Sequence, residues 1–421
     1  MDIVILGAPA IVWLSAALAL YMAWTIGAND VANAMGTSVG SGALTITRAV
    51  IVAGILEFCG AFLAGGHVTD TVRKGILVAD AVAGHEPLIV YGMLASLLSA
   101  GTLLLTATRF GLPVSTTHAI VGAIVGFGAV GLGVDSVVWG KVAQIVASWV
   151  TSPLIGGALA FLVFRITRYS ILDREDPMEQ AKRVGPVFFF VVIFVMALVT
   201  FFKGLKHLNL HLDFVEALGL AVAAGLVGAL VGRFFLRRVK TEPDATGSDR
   251  FRQVERLFVV LQVLTACAVA FAHGSNDVAN SIGPLAAIIH LSKGLAYEGR
   301  AVLEPWMLIV GGVGIVLGLA TWGYRVMETV GRKITELTPS RGFSAELAAA
   351  LTIVLASRLG IPVSTTHILV GAVFGVGLAR GIGALDLRVV GKIMVSWVAT
   401  LPIAAALSIF FFYFFKGLLG P

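Results

Sequence analysis

The sequence predicts an all-α polytopic membrane protein, with about twelve transmembrane segments arranged as two inverted-topology repeats that contain broken or re-entrant helices. Three observations carry this expectation. Charge is scarce, apolar runs of spanning length recur along the whole chain, and short polar motifs occur twice in the same order.

Of the 421 residues, 58% are hydrophobic and 13% charged, where soluble domains run to roughly a quarter charged. Stretches 3–28, 91–108, 185–202 and 305–324 carry no charge at all. A helix needs roughly 20 apolar residues to cross a bilayer core of about 30 Å. The recurrence of such runs disfavours a soluble protein with buried helices. The N-terminus lacks a basic region followed by a small-residue cleavage site, so Met1 onward reads as mature protein whose first helix also serves as the insertion signal. Cys59 and Cys267 sit inside apolar runs and read as small core residues, not as a disulfide or metal pair. The net charge of +6 is no nucleic-acid footprint, because the basic residues fall in loops between apolar segments.

The apolar segments are 8–40, 47–66, 89–108, 113–133, 139–164, 185–202, 214–235, 255–290, 305–324, 344–359, 363–379 and 390–415. Segments 8–40 and 255–290 are too long for one helix and carry polar interruptions. Segments 113–133 and 363–379 are rich in glycine and open on a polar cluster. Counting each as one net crossing puts loops 165–184, 236–254 and 325–343 on one side, with four or five Lys and Arg each. Loops 203–213 and 291–304 hold two each. The basic side should be cytoplasmic, which places both termini outside. Residues 240–250 are the most linker-like stretch. The expected organisation is a first inverted repeat at 1–164, two connecting transmembrane helices with basic cytoplasmic loops at 165–254, and a second inverted repeat at 255–421.

The duplication is explicit. Residues 27–33 read GANDVAN and 274–280 read GSNDVAN; 113–118 and 362–367 both read PVSTTH. Weaker matches join Asp70-Thr71-Val72 to Glu328-Thr329-Val330 and Ser148-Trp149-Val150 to Ser396-Trp397-Val398. Ordered matches at nearly constant spacing identify an internal repeat. An odd number of crossings between the two ND segments makes the halves antiparallel, a recurring transporter architecture with midplane sites on interrupted helices.

The repeated motifs carry the chemistry. Asn29, Asp30 and Asn33, with Asn276, Asp277 and Asn280, place a carboxylate and amides inside apolar runs, where buried charge is costly and usually functional. Oxygen-rich clusters suit hard cations. Flanking glycines and Pro284 predict a helix break that frees backbone groups for ions. The structural alternative is a polar clamp between helices. In PVSTTH, proline followed by Ser115, Thr116 and Thr117 reads as a helix start whose free amides and hydroxyls favour an anion. The same holds for Ser364, Thr365 and Thr366. Two such N-termini on opposed repeats suit a tetrahedral anion held from both sides. Phosphate keeps an acidic proton that it can donate to a carboxylate or an asparagine oxygen, whereas sulfate cannot. His118 and His367 read as local packing residues rather than proton sensors.

Two further acids lack acidic counterparts in the other repeat: Glu57 aligns with Ile315, and Glu346 with Leu97. Cation binding is the expected role of Glu57. Glu346 is open between a cation ligand and an interfacial residue.

At these residues the chain resembles the PiT family of inorganic phosphate transporters driven by sodium or protons. The resemblance spans essentially the whole chain and rests on GANDVANA at 27–34, GSNDVANSIGP at 274–284 and the two PVSTTH segments. It implies an inverted-repeat fold and phosphate uptake across the plasma membrane. It also implies that Asp30, Asp277, Glu57 and Glu346 fall where family members need acids. A glutamate of some animal members near the third segment has no clear equivalent, Met93 or its neighbours occupying that region. The long polar insert of animal members is absent, which suggests a compact prokaryotic form.

The expected function is therefore not enzymatic: it is sodium-coupled phosphate symport by alternating access. Phosphate lies on Ser115, Thr116, Thr117, Ser364, Thr365, Thr366, Asn33 and Asn280. Sodium lies on Asp30, Asp277, Asn29, Asn276, Glu57 and Glu346. Each net positive charge carried inward gains about 2.3 kcal/mol per 100 mV, so several monovalent cations per phosphate are expected. Sodium and protons both suit these carboxylates; the several oxygens of each Asn-Asp-Asn cluster favour sodium. Sulfate or proton coupling on the same fold, and a passive channel or receptor, are the alternatives. No organic cofactor and no nucleic-acid partner are expected. The glycine-rich stretch 219–232 could pack between helices or between subunits, and a homodimer is expected.

Overall fold

The computed structural model describes residues 4–5, 8–65, 76–78, 84–203, 213–239, 247–295, 303–359 and 363–420. The weak match at Asp70-Thr71-Val72, Lys206, Arg300, Pro362 and most of the 240–250 linker lie outside these residues. Among those described there are thirteen α-helices, plus a two-residue ladder pairing Val4–Ile5 with Ala8–Pro9. In chain order the helices are α1 Ala10–Gly40, α2 Ile46–Ala64, α3 Glu86–Arg109, α4 Thr116–Gly131, α5 Trp139–Thr167, α6 Pro177–Lys203 and α7 Phe214–Arg238. There follow α8 Gly247–Ser292, α9 Pro305–Thr321, α10 Tyr324–Glu328, α11 Pro339–Leu359, α12 Thr365–Arg380 and α13 Leu387–Leu419.

Eight of these helices are individually long and apolar enough to cross a membrane, and α9 continues into 324–333 through a 56° bend. Their outward faces stay apolar, as with Ile55, Leu154, Leu230, Val395 and Phe410. Apolar side chains on that surface meet lipid at no cost in hydration. Helices α4 and α12 have 16 residues each, roughly 24 Å at 1.5 Å per residue, too short to span. They are the half-length elements among the twelve apolar segments.

The duplication is visible in the packing. Helix α1 lies against α9, and α8 against α2; α4 lies against α13, and α12 against α5. The halves are thus interleaved, each helix of one repeat resting on the counterpart of the other's partner. Close approach is bought by matched glycines. A Cβ on Gly27 would overlap the Ile315 backbone, and one on Gly274 the Glu57 backbone. Likewise Gly318 admits the Trp24 backbone and Gly60 that of Phe271. Small residues that let backbones touch are the usual device for joining helices in lipid.

Helices α6 and α7 form an antiparallel pair, with Gly185 on Leu236, Gly232 on Phe189 and Gly228 on Ile193. The glycines of 219–232 that make contacts therefore pack within the chain. Cys59 and Cys267 are free and half-buried.

One expectation fails. The ND motifs do not break their helices: α1 runs unbroken for 31 residues and α8 for 46, with Pro284 inside. Gly27 and Gly274 serve close packing instead of unwinding. A proline within a helix removes one backbone hydrogen bond without ending the helix when neighbours hold it. The irregular backbone lies at the bend between α9 and α10 and ahead of α4 and α12.

Candidate functional site

Each short helix starts where the sequence placed it. Ser115 caps α4, its Oγ accepting from His118 N at 3.3 Å; Ser364 caps α12, accepting from His367 N at 3.2 Å. Pro113 precedes the cap and does not occupy the first turn. Its carbonyl accepts from Trp397 Nε1 at 3.0 Å.

The two helix starts meet, and each is gripped by the ND helix of the opposite half. Asn33 Nδ2 on α1 donates to Thr366 Oγ1 at 2.8 Å. Asn280 Nδ2 on α8 donates to Thr116 Oγ1 and Thr117 Oγ1, both at 3.4 Å. Thr366 Oγ1 in turn reaches Val114 O at 3.4 Å. Thr365 lines a small enclosed cavity with Asn33 and His273. His118 and His367 lie edge to face at 4.8 Å between ring centres, with Trp149 5.1 Å from the first and Trp397 stacked at 3.8 Å on the second. The histidines thus pack locally against the tryptophans of the repeated Ser-Trp-Val triplets.

Beside the hydroxyls stands a buried cluster of acids around one imidazole. Thr116 Oγ1 donates to Asp30 Oδ2 at 2.8 Å. His273 Nε2 lies 2.7 Å from Asp277 Oδ2 and 3.7 Å from Asp30 Oδ2, and its Nδ1 lies 3.4 Å from Glu57 Oε1. Asp30, Glu57, His273 and Asp277 are all at most 2% exposed. Asp30 Oδ1, Asn33 Oδ1 and both Glu57 oxygens are buried without a hydrogen-bond donor among the described residues. Buried oxygens of this kind are costly unless something positive meets them, and oxygen sets of this density suit hard cations. Asn276 is half-buried and donates to Asp277 Oδ1 at 2.9 Å.

Two residues of the expected set lie apart. Asn29 Nδ2 donates to Thr108 Oγ1 at 2.9 Å and Leu112 O at 3.1 Å, while its Oδ1 accepts from Val114 N at 3.1 Å. Its side chain braces the turn from α3 into α4. Glu346 is fully buried rather than interfacial. Its Oε1 accepts from Thr37 and from Ser38 at 2.9 Å, and its Oε2 from Thr265 at 2.5 Å. Gln262 lies alongside at 3.5 Å, itself accepting from Ser41. Thr37 follows Asn33 by one turn of α1, and Thr265 precedes His273 by two turns of α8. The same two helices therefore serve both places.

His273 is the residue the sequence reading passed over. Two signals could have found it: it lies four residues before Asp277, on the same helix face, and it is a histidine within an apolar run, where ionisable groups are rare. Thr37, Ser38, Thr265 and Gln262 carried no such mark, since hydroxyls in apolar helices commonly bond their own backbone.

Residues 26–408 match the model of the phosphate transporter family. The chain belongs to that family. The Haemophilus influenzae protein named "Putative phosphate permease" is 46% identical, over 96% of both chains. The Arabidopsis thaliana protein named "Inorganic phosphate transporter 2-1, chloroplastic" is 45% identical over 95% of this chain and 71% of its own length. A solved structure described as the sodium-dependent phosphate transporter superposes with a TM-score of 0.87 at 40% identity, covering 97% of this chain and 100% of that one. This member of the phosphate transporter family therefore has the family's multi-pass helical membrane fold.

Proposed function

We propose that this protein is a secondary active transporter of the plasma membrane, carrying inorganic phosphate together with sodium by alternating access. The observation that carries the reading is the reciprocal grip across the two halves, Asn33 on Thr366 and Asn280 on Thr116. It brings two hydroxyl-capped helix N-termini, each with a positive dipole end, beside a buried carboxylate cluster.

In this reading Ser115, Thr116, Thr117, Ser364, Thr365 and Thr366 donate to phosphate oxygens, with Asn33 and Asn280 completing the ring. Asp30, Asp277, Glu57 and Asn276 hold sodium next to the anion, so that cation charge replaces the Lys or Arg that both motifs lack. Asn29, occupied in bracing, supplies position more than coordination. Glu346 with Thr37, Ser38 and Thr265 offers a second, separate cation place. Residues 1–164 and 255–421 act as the two inverted repeats, with 165–254 as the connecting pair. Relative movement of the repeats exposes the site to each side in turn. Basic loops in the cytoplasm, both termini outside and a homodimer complete the proposal.

A second reading, proton coupling, is favoured by one observation: both ring nitrogens of His273 face carboxylates, which suits a proton as much as a metal ion. Radiolabelled phosphate uptake into proteoliposomes separates the two. Uptake driven by an imposed sodium gradient and lost in Asp30→Asn supports sodium symport. Uptake driven only by a proton gradient replaces sodium, and accumulation of sulfate without phosphate overturns the substrate.

A further inference from the structure

Where the turn 329–333 meets the loop between α12 and α13, an open cavity of about 650 Å³ is lined by Arg332, Lys333, Thr335, Glu336, Asp386 and Arg388, among others. Its acids are already engaged. Glu336 pairs with Arg380 at 3.1 Å and Arg341 at 3.5 Å. Asp386 Oδ1 caps α13, accepting from Arg388 N at 2.9 Å and Val389 N at 3.2 Å. Lys333 reaches Glu328 at 3.6 Å. Among the described residues, Arg332 and Arg388 have no carboxylate within ion-pair distance, and both are exposed. The cavity therefore carries surplus positive charge in the form of two guanidinium groups, the planar donors that best match a phosphate.

The surroundings say which phosphate. The cavity opens at the first turn of α13, a helix of 33 residues, roughly 50 Å long against a hydrocarbon core of about 30 Å. Its ends consequently reach the headgroup layer. From Leu387 in the cavity wall an apolar stripe begins: Leu387, Met394 and Val398 share one face of α13 at helical spacing and are 59%, 44% and 65% exposed. A basic mouth above an exposed apolar stripe matches an amphiphile, with an anionic head and apolar tails. Free inorganic phosphate shares the head's chemistry but makes no use of the stripe that starts at the cavity wall with Leu387.

We propose that the Arg332–Arg388 cavity binds the phosphate of an anionic phospholipid whose acyl chain lies along Leu387, Met394 and Val398. The site is separate from the Asp30–Asp277 cluster and does not depend on which ion drives transport.

The test uses full-length protein in zwitterionic detergent, with bound lipid counted by native mass spectrometry after addition of phosphatidylglycerol, phosphatidylcholine or inorganic phosphate. Wild type should retain phosphatidylglycerol over phosphatidylcholine. Each of Arg332→Ala and Arg388→Ala should weaken that retention about fivefold, from the worth of one basic residue at an anionic surface, and the double variant Arg332→Ala/Arg388→Ala should weaken it further. Arg237→Ala/Arg238→Ala, a matched loss of charge at the end of α7, should leave it unchanged. Arg332→Lys/Arg388→Lys keeps the charge and guards against a misfolded double alanine variant; it should retain part of the preference. Equal retention by wild type and the double alanine variant would overturn the proposal, as would equal loss in the Arg237/Arg238 variant. Displacement of the lipid by millimolar inorganic phosphate would reassign the cavity to the free anion.

Discussion

Two of the interfaces that join the repeats have the same backbone and opposite chemistry. In one, α1 meets α9: Gly27 rests on the backbone of apolar Ile315 and follows apolar Ile26. In the other, α8 meets α2: Gly274 rests on the Glu57 backbone, and His273 stands where the first repeat has Ile26. Duplication supplied the same close-packed frame twice, but only one copy carries Glu57 and His273. A buried charge is tolerated only beside an opposite charge or a ligand, so these two residues stand together. The ND motifs diverge in the same way. Asn29 is fixed by three hydrogen bonds to the α3–α4 turn, whereas Asn276 is half-buried and bonded to Asp277.

If the frame is shared, it should break equally at either copy. Gly27→Val and Gly274→Val each force a side chain into a facing backbone, and both should abolish recovery of folded protein by size-exclusion chromatography. Overpacking of this kind costs about 1–3 kcal/mol where the backbone can move, and more where it cannot. Gly54→Ala, whose added Cβ would have its nearest neighbour at 3.5 Å, should fold normally and serves as the control.

If the chemistry is not shared, polar substitutions should be unequal. Glu57→Gln should lower sodium-driven uptake roughly thirtyfold or more, in line with the 2–5 kcal/mol lost when one partner of a buried charged pair is removed. Its counterpart change Ile315→Leu, apolar for apolar, should leave uptake within about twofold, since volume-conserving swaps cost under about 1.5 kcal/mol. Likewise His273→Ile, which makes the second interface resemble the first, should reduce uptake and change its sodium dependence. An unchanged sodium profile would show that the imidazole has no part in any sodium dependence of uptake.

The helix caps test the remaining symmetry. Ser115→Ala and Ser364→Ala should each destabilise by about 1 kcal/mol, with equal falls in melting temperature. Unequal falls would mean that the two N-termini differ as the acids do. Far smaller is the effect of Glu304, just ahead of α9, whose carboxyl is held below the ordinary glutamate range chiefly by Lys293 and then by Trp306. A depressed carboxyl contributes stability above its ordinary range and loses it as pH falls through the lowered value. For so exposed a pair the Glu304→Gln loss should stay within about 0.5 kcal/mol at neutral pH and vanish in acid.

The sequence by itself determined the class of the molecule, its helices and its doubling. Apolar runs must become helices in lipid because backbone groups there have no other partners, and identical motifs at matched spacing fold alike. Ser115 and Ser364 were legible as caps because capping is local. Asp30, Asp277, Asn33 and Asn280 were legible as a candidate site because they recur inside apolar segments. The tertiary structure alone decided which of them meet. The crossing of Asn33 to Thr366 and of Asn280 to Thr116 spans 333 and 164 residues and follows from interleaving that no local pattern encodes. It also decided that the ND helices run unbroken, because their glycines are consumed in packing against neighbouring backbones. It assigned Asn29 to bracing and buried Glu346 among hydroxyls. It set His273, whose counterpart in the first repeat is the apolar Ile26, among three acids. Local signals fix what a segment becomes, whereas the charge a buried side chain must answer to is supplied by whichever helices pack against it.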